Sequence, residues 1–194
     1  MANHLHGTEP ASPWVQRWSH LVKPGGSVLD VACGHGRHAK WFHDRGHAVT
    51  LVDKSRQAIE SIVLPTQSCK AVVADIENGP WPFVGWQFDA VVATNYLWRP
   101  LMPTLLASLA PGGILIYETF TQGNETVGKP SRSDFLLEHG ELLAVCTGLR
   151  IVAYEDGFQA GPNADLPRFI QRIAAVREAP DDRATSKPAR YDLP

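Results

Sequence analysis

The sequence predicts an α/β fold: a doubly wound sheet, mostly parallel, that closes on an antiparallel C-terminal strand pair. Three observations predict it. Short, continuously apolar β-rich runs alternate with helical patterns over most of the 194 residues, as in a parallel sheet covered on both faces. A glycine loop lies between the first such run and the first helical pattern. The last two apolar runs have only a turn-rich segment between them, and so short a connection forces an antiparallel pair.

Taken in order, the chain first shows Ser12-Pro13, a helix start with an N-cap Ser and Pro at the first helical position. Trp14, Trp18, Leu21 and Val22 then make one apolar face. The first strand reads Ser27 to Val31, a helix follows from Arg37 to Asp44, and the second strand reads Ala48 to Val52. Ser55 to Val63 suits a helix and Ala71 to Ala74 a third strand; after a loop rich in Pro, Gly and Trp, Phe88 to Ala93 makes a fourth. Leu101, Leu105, Leu106 and Leu109 share one helical face, which Pro111-Gly112-Gly113 should end. Ile114 to Tyr117 is the fifth strand, and Arg150–Tyr154 and Arg168–Val176, joined by the turns of Gly157–Pro167, are the closing pair. The expected organisation is an N-terminal helical cover over residues 1–26, one domain over 27–178, and a polar, Pro-rich tail over 179–194.

Apolar residues at 44% and charged residues at 20% supply a core without disulfide staples. The net charge of -2 disfavours nucleic acid or an anionic membrane as default partner. Cys33, Cys69 and Cys146 are an odd, widely spaced set, which reads as reduced thiols. Met1 to Gly25 holds no signal-peptide core, and no run approaches the roughly 18 apolar residues of a membrane span. A cytoplasmic chain is the expectation; oligomeric state is left open.

Most of the chemistry lies in Val28-Leu29-Asp30-Val31-Ala32-Cys33-Gly34-His35-Gly36-Arg37, a strand, a small-residue loop and a helix start. Gly34 and Gly36 let the backbone turn and approach a ligand that any Cβ would push away. Asp30, at the end of the strand, is expected to point its carboxylate into the crevice where open α/β sheets bind ligands. A carboxylate there suits a cationic amino-acid ligand and would repel a pyrophosphate. Asp53, 17 residues beyond Gly36 and followed by Lys54, is positioned to accept hydrogen bonds from ribose hydroxyls. Asp75 suits an adenine amino group, with Ile76 packing on the ring.

These residues together resemble the class I S-adenosylmethionine-dependent methyltransferases, with their Rossmann-like sheet. The family's first motif corresponds to Asp30 through Gly36, its ribose acid to Asp53 and its adenine-side acid to Asp75. Phe88 to Asn95 and Leu109 to Leu115 look like its later strands, and Ala32 stands where the common motif has its first glycine. The resemblance covers residues 27 to 177 and is closest to the small bacterial tellurite-resistance and thiopurine types. It implies methyl transfer from S-adenosyl-L-methionine, with Asp30, Ala32, Cys33, Gly34, Gly36, Asp53, Lys54, Asp75, Ile76 and Asn95 at the cofactor.

Two other readings stay open. Gly34-His35-Gly36-Arg37-His38-Ala39 also fits the dinucleotide fingerprint of an NAD-dependent oxidoreductase, and a non-catalytic S-adenosylmethionine-binding protein would carry the same loop. His35, His38, His43 and His47 lack the Cys or carboxylate pattern of a tetrahedral site, so solvated histidines and no metal are expected. Trp14, Trp18, Trp81, Trp86 and Trp98 either flank the crevice or close a core. Asn95 and Tyr96 end the fourth strand on the acceptor side, without the Asn/Asp-Pro-Pro-aromatic motif of many amino-methylating enzymes. Tyr117, Glu118 and Thr119 are acceptor-side candidates, no catalytic base stands out, and the Thr119–Arg132 loop has the glycines of a lid. The expected acceptor is a small molecule, held if anionic by Arg99, Arg132 or Arg168.

Overall fold

In a computed structural model, residues 9–65, 67–160, 167–180 and 189–194 are described. Parts of three sequence readings lie outside them: the first eight residues of the N-terminal cover, the middle of the closing turn (161–166) and most of the tail (181–188). The elements are α1 (Pro13–Trp18), β1 (Ser27–Val31), α2 (Arg37–His43), β2 (Ala48–Asp53), α3 (Arg56–Glu60), β3 (Cys69–Val73), β4 (Phe88–Thr94), α4 (Met102–Ala107), β5 (Leu109–Phe120), α5 (Glu141–Val145), β6 (Arg150–Gln159) and β7 (Arg168–Val176).

The strands form one seven-stranded sheet in the order β3-β2-β1-β4-β5-β7-β6. β1 pairs in parallel with both β2 and β4, and β7 inserts antiparallel between β5 and β6. The order reverses between β1 and β4, which makes their carboxyl ends the switch point where such sheets bind ligands. Two apolar layers cover the sheet. Leu29, Val31, Val91, Leu115 and Tyr117 face one, and Val28, Ala90, Val92, Ile114 and Ile116 face the other with Trp14, Trp18 and Phe42.

Ser12 caps α1 by accepting from the Trp14 amide at 3.2 Å. Trp14 and Trp18 are nearly fully buried, and the Trp14 indole donates to the Ile173 carbonyl at 3.2 Å. They close a core.

Elements depart from the sequence reading where pairing or packing lengthens or ends them. β3 starts at Cys69, two residues before its reading, because Cys69 and Lys70 already pair with β2, and β6 runs on to Gln159, through the start of the expected turn, because Gly157 to Gln159 pair with β7. α3 ends at Glu60, with Ser61 capping it, because Ile62 and Leu64 turn back onto the core layer. The helix expected to reach Leu109 ends at Ala107, and Leu109 already pairs with Phe88 as the first residue of β5. Pro111-Gly112-Gly113 is therefore an irregularity within β5; a Cβ on Gly113 would lie 2.8 Å from the Phe88 carbonyl oxygen. α5 was not legible: its five residues make barely one turn, and its start is held from elsewhere, the buried Gln171 of β7 accepting from the Leu142 amide at 2.7 Å. Among the described residues, no helix is long and apolar enough to cross a membrane.

Candidate functional site at the carboxyl edge of the sheet

Beyond β1 the chain turns sharply. Ala32 adopts φ +51, Gly34 +54 and Gly36 +75, and beyond β4 Asn95 adopts φ +54. Left-handed backbone costs an ordinary L-residue about 1–2 kcal/mol, so Ala32 is strained, a feature that clusters at functional sites; Asn95, across the switch point, is of a type that tolerates this region better. The Cys33 amide donates to the Val52 carbonyl and the Asn95 amide to the Glu118 carbonyl, tying both turns to the neighbouring strands.

Three adjoining cavities follow this edge. The first, of about 100 Å³, is lined by Ala32, Asp53, Lys54, Asp75, Ile76, Glu77 and Tyr96. Its mixture of one buried aliphatic floor and carboxylate rims is complementary to a flat base joined to a hydroxylated sugar. The second, of about 240 Å³, is formed over the glycine loop by Ala32 to His35, Arg37, His38, Thr94, Asn95 and Glu9. The third, of about 360 Å³, lies between residues 9–13, the end of β5 and the 124–129 loop, and includes Glu118, Lys129 and Arg168. Ala32 joins the first to the second; Arg37, Asn95 and Glu9 join the second to the third.

Asp53 accepts from the Gly34 amide and the Ser55 amide, both at 2.8 Å, so its carboxylate holds the loop while each oxygen keeps a second lone pair. Asp75 accepts from the Glu77 and Asn78 amides and the Asn78 side chain, which hold its carboxyl below the usual range. Cys33 is buried in the loop, and burial beside Asp30 and Asp53 pushes its thiol well up, so it lines the crevice as a neutral group.

Asp30 does not face the crevice. It is 1% exposed and accepts from the Ala39 amide in the first turn of α2 at 3.0 Å. Burial raises its pKa from 3.8 to about 7. Its Oδ1 lies 3.9 Å from Nδ1 of His38, which is itself buried and lowered by desolvation to about 3. His38 Nε2 accepts from the Ser12 amide at 3.2 Å, so its proton sits on Nδ1, towards Asp30. His47 is buried too, its Nδ1 3.2 Å from the Gly26 carbonyl oxygen. These two histidines are thus core groups rather than solvated ones.

Other candidates separate cleanly. Tyr117 is buried on the far side of β5 and donates to the Tyr96 carbonyl, and Thr119 is equally buried. Only Glu118 of the three lines a cavity. Arg99 is bound to Glu141 and to the Asp134 and Leu136 carbonyls, and Arg132 pairs with Asp134, so neither reaches the site. Arg168 does. None of the five tryptophans named from the sequence lines the three cavities; Trp86 sits at the amino end of the strands, where Lys70 lies 4.2 Å over its ring. The loop after β5 is pinned by buried Asn124, whose side chain donates to the Pro130 carbonyl and accepts from the Phe169 amide. Both bonds tie the start of the loop to its far end and to β7. Arg37 was legible only as part of the loop motif, and its ion pair with Glu9 at 3.3 Å has no local signature.

The glycines give a contrast that can be measured. A Cβ on Gly36 would meet the Ile62 side chain at 2.9 Å, whereas one on Gly34 meets nothing within 4 Å. Gly36→Ala should therefore lose about 2 kcal/mol of stability and Gly34→Ala about 1 kcal/mol. Gly34→Ala should instead lose ligand binding, because its Cβ enters the space above the loop. Thermal unfolding and ligand titration of both variants check this; equal stability losses would refute it.

A family model described as "Methyltransferase domain" matches residues 28–113. The chain is 30% identical over 102 residues to malonyl-[acyl-carrier protein] O-methyltransferase of Salmonella typhimurium, covering 50% of this chain and 40% of that protein. It is 38% identical over 113 residues to ribosomal protein L11 methyltransferase of Burkholderia vietnamiensis, covering 55% and 36%. The chain thus spans well under half the length of these curated relatives. Its fold is similar to that of TehB from Haemophilus influenzae, with TM-score 0.67 and 17% identity over 82% of this chain and 60% of that one. An S-adenosylmethionine-dependent methyltransferase from Mesorhizobium loti gives TM-score 0.65 and 17% identity over 83% and 97%. The chain therefore has the fold of the S-adenosylmethionine-dependent methyltransferases, with residues 28–113 matching the methyltransferase domain.

Proposed function

We propose that this protein transfers a methyl group from S-adenosylmethionine to a small-molecule acceptor. The observation that carries the reading is the succession of the three cavities across the switch point: the one beside Asp53, Asp75 and Ile76 adjoins the glycine-loop cavity at Ala32, and that cavity adjoins the larger pocket at Asn95 and Arg37. In this reading the domain spans 27–178, with residues 1–26 as cover and 179–194 as tail.

Asp53 accepts the ribose hydroxyls, and Asp75 and Ile76 hold the adenine, with Lys54 at the rim. Ala32, Cys33, Gly34 and Gly36 shape the loop under the amino-acid part. Asp30 acts from below, fixing the first turn of α2 against that loop. Asn95 borders both donor and acceptor. Bound S-adenosylmethionine supplies an electrophilic methyl group on a sulfonium whose charge disperses during transfer. The chain's contribution is to align the acceptor and keep out water, effects worth up to about 7–11 kcal/mol. A side-chain base is needed only for an acceptor that must lose a proton, and the reading assigns none. The cavity of about 360 Å³ and the net charge of -2 support a small acceptor over a nucleic acid or a protein.

Titration calorimetry with S-adenosylmethionine, its demethylated product and NAD tests the reading. The first two should bind, NAD should not, and the reverse pattern sinks the assignment. Asp53→Ala should weaken binding by about 1.5–3 kcal/mol, the usual worth of a charge-assisted hydrogen bond. Labelled methyl should enter a low-molecular-weight extract fraction; efficient labelling of bulk RNA or protein would overturn the acceptor class alone.

A further inference from the structure

We infer that the largest of the three cavities takes a small organic acid, its carboxylate held by Arg168 and Lys129 and its reactive end turned towards Asn95. Only the last part rests on the methyl-transfer reading. Among the described residues, two acids and three cations line this cavity: Glu9 and Glu118, against Arg37, Lys129 and Arg168. Each acid already has an arginine as its charge partner. Glu118 is 1% exposed and accepts from the Ser12 hydroxyl at 2.9 Å on one oxygen and from Arg172 at 3.1 Å on the other. Glu9 is paired with Arg37. Among the described residues, an ammonium group entering the cavity therefore meets only carboxylates whose charge an arginine already balances.

The cations are not balanced in the same way. Lys129 makes no ion pair among the described residues. Arg168 donates from Nε to Gln159 at 2.9 Å, which fixes the plane of its guanidinium, and its nearest acid oxygen among the described residues is Glu118 Oε1, 3.9 Å from Nη2. That separation is beyond hydrogen-bond range, so the outer edge of the fork keeps donors to offer. A planar carboxylate matches the outer edge of this fork through two parallel hydrogen bonds, and a phosphate is the competing anion.

Position then orients the ligand. Arg168 and Lys129 line only this cavity, whereas Arg37 and Asn95 also line the one over the glycine loop. A carboxylate on Arg168 is thus at the end remote from the donor, and serves as an anchor. Between the two ends the wall is apolar: Pro10, Ala11, Pro13, Phe120, Val127 and Pro167. An acid with an apolar body matches that lining.

The test titrates benzoate, hexanoate, benzylamine and phenyl phosphate into protein loaded with demethylated cofactor. Saturable binding of at least one carboxylate, tighter than benzylamine or phenyl phosphate, is expected. Arg168→Gln should weaken it about 10- to 100-fold and Lys129→Gln by a smaller factor, with cofactor affinity retained. Arg168→Lys should recover part of the loss. Tighter amine or phosphate binding, no carboxylate binding, or equal carboxylate affinity in wild type and both Gln variants would overturn the inference. If Arg168→Gln fails to fold, the exposed Lys129→Gln and Arg168→Lys decide between these outcomes. If the cofactor product itself fails to bind wild type, the methyl-transfer reading falls, and the same acids titrated into unloaded protein still test the anchor.

Discussion

Arg172→Met is expected to lower stability by about 3–5 kcal/mol, the cost of stranding a buried charge. Glu118 has a side chain only 2% exposed, and its strong partner is Arg172 Nη1 at 3.1 Å. The Arg172 guanidinium also binds Glu155 through Nε at 2.8 Å and lies 4.8 Å over the Trp14 ring. One side chain of β7 thereby joins α1, β5 and β6. With methionine there, Glu118 keeps the Ser12 hydroxyl and a distant Arg168. Urea unfolding measures the loss. Adding Glu118→Gln to Arg172→Met should restore much of it, because the uncompensated charge is gone. A single-variant loss below about 1 kcal/mol would show that the network is solvated after all. Because Ser12 anchors the 9–13 segment over the largest cavity, acceptor binding should weaken with it.

Asp30 and His38 should give the wild type a flat pH profile between about pH 4 and 6.5 that either single variant tilts. Burial raises Asp30 from 3.8 to about 7, so the unfolded chain ionises first. Its contribution is fully present below pH 3.8 and falls as pH rises to about 7, by on the order of 4 kcal/mol. Desolvation lowers His38 from 6.5 to about 3, so the unfolded chain takes up the proton first. Its contribution is fully present above pH 6.5 and falls as pH drops towards 3. The two slopes oppose each other across their common window. Asp30→Asn should leave a stability that rises from pH 4 to 6.5; His38→Gln should leave one that falls. Parallel profiles for wild type and Asp30→Asn would exclude a raised Asp30. Nothing in the loop sequence announces this, since a strand-end aspartate reads the same whether it faces solvent or the underside of a helix.

Much of the architecture was nevertheless legible. Strand–loop–helix order follows from apolar runs and their punctuation, which are local properties. That is why β1, α2, β2, β4 and β7 lie within a residue or so of the sequence reading. The failures are also local in kind. α5 is five residues long, too short for a helical period to register, α3 stops at Glu60 rather than Val63, and Leu109 satisfied a helix pattern while its strand partner Phe88 lay 21 positions upstream.

By itself, then, the sequence determined the sheet, its closing hairpin, the glycine turn and the acids at the ends of β2 and β3, because each depends on neighbours in the chain. Only the tertiary structure decided which side chains meet. Ser12 and Glu118 are 106 positions apart and Arg172 is 54 from Glu118, yet they form one buried cluster. Of three candidate arginines, packing turned Arg99 and Arg132 towards the 134–141 segment and left Arg168 at the cavity. Asp30 was turned under α2, and Trp14 and Trp18 into the core. A side chain's residue type is written in the sequence, but its environment is set by whichever element is packed against it, and that choice belongs to the fold as a whole.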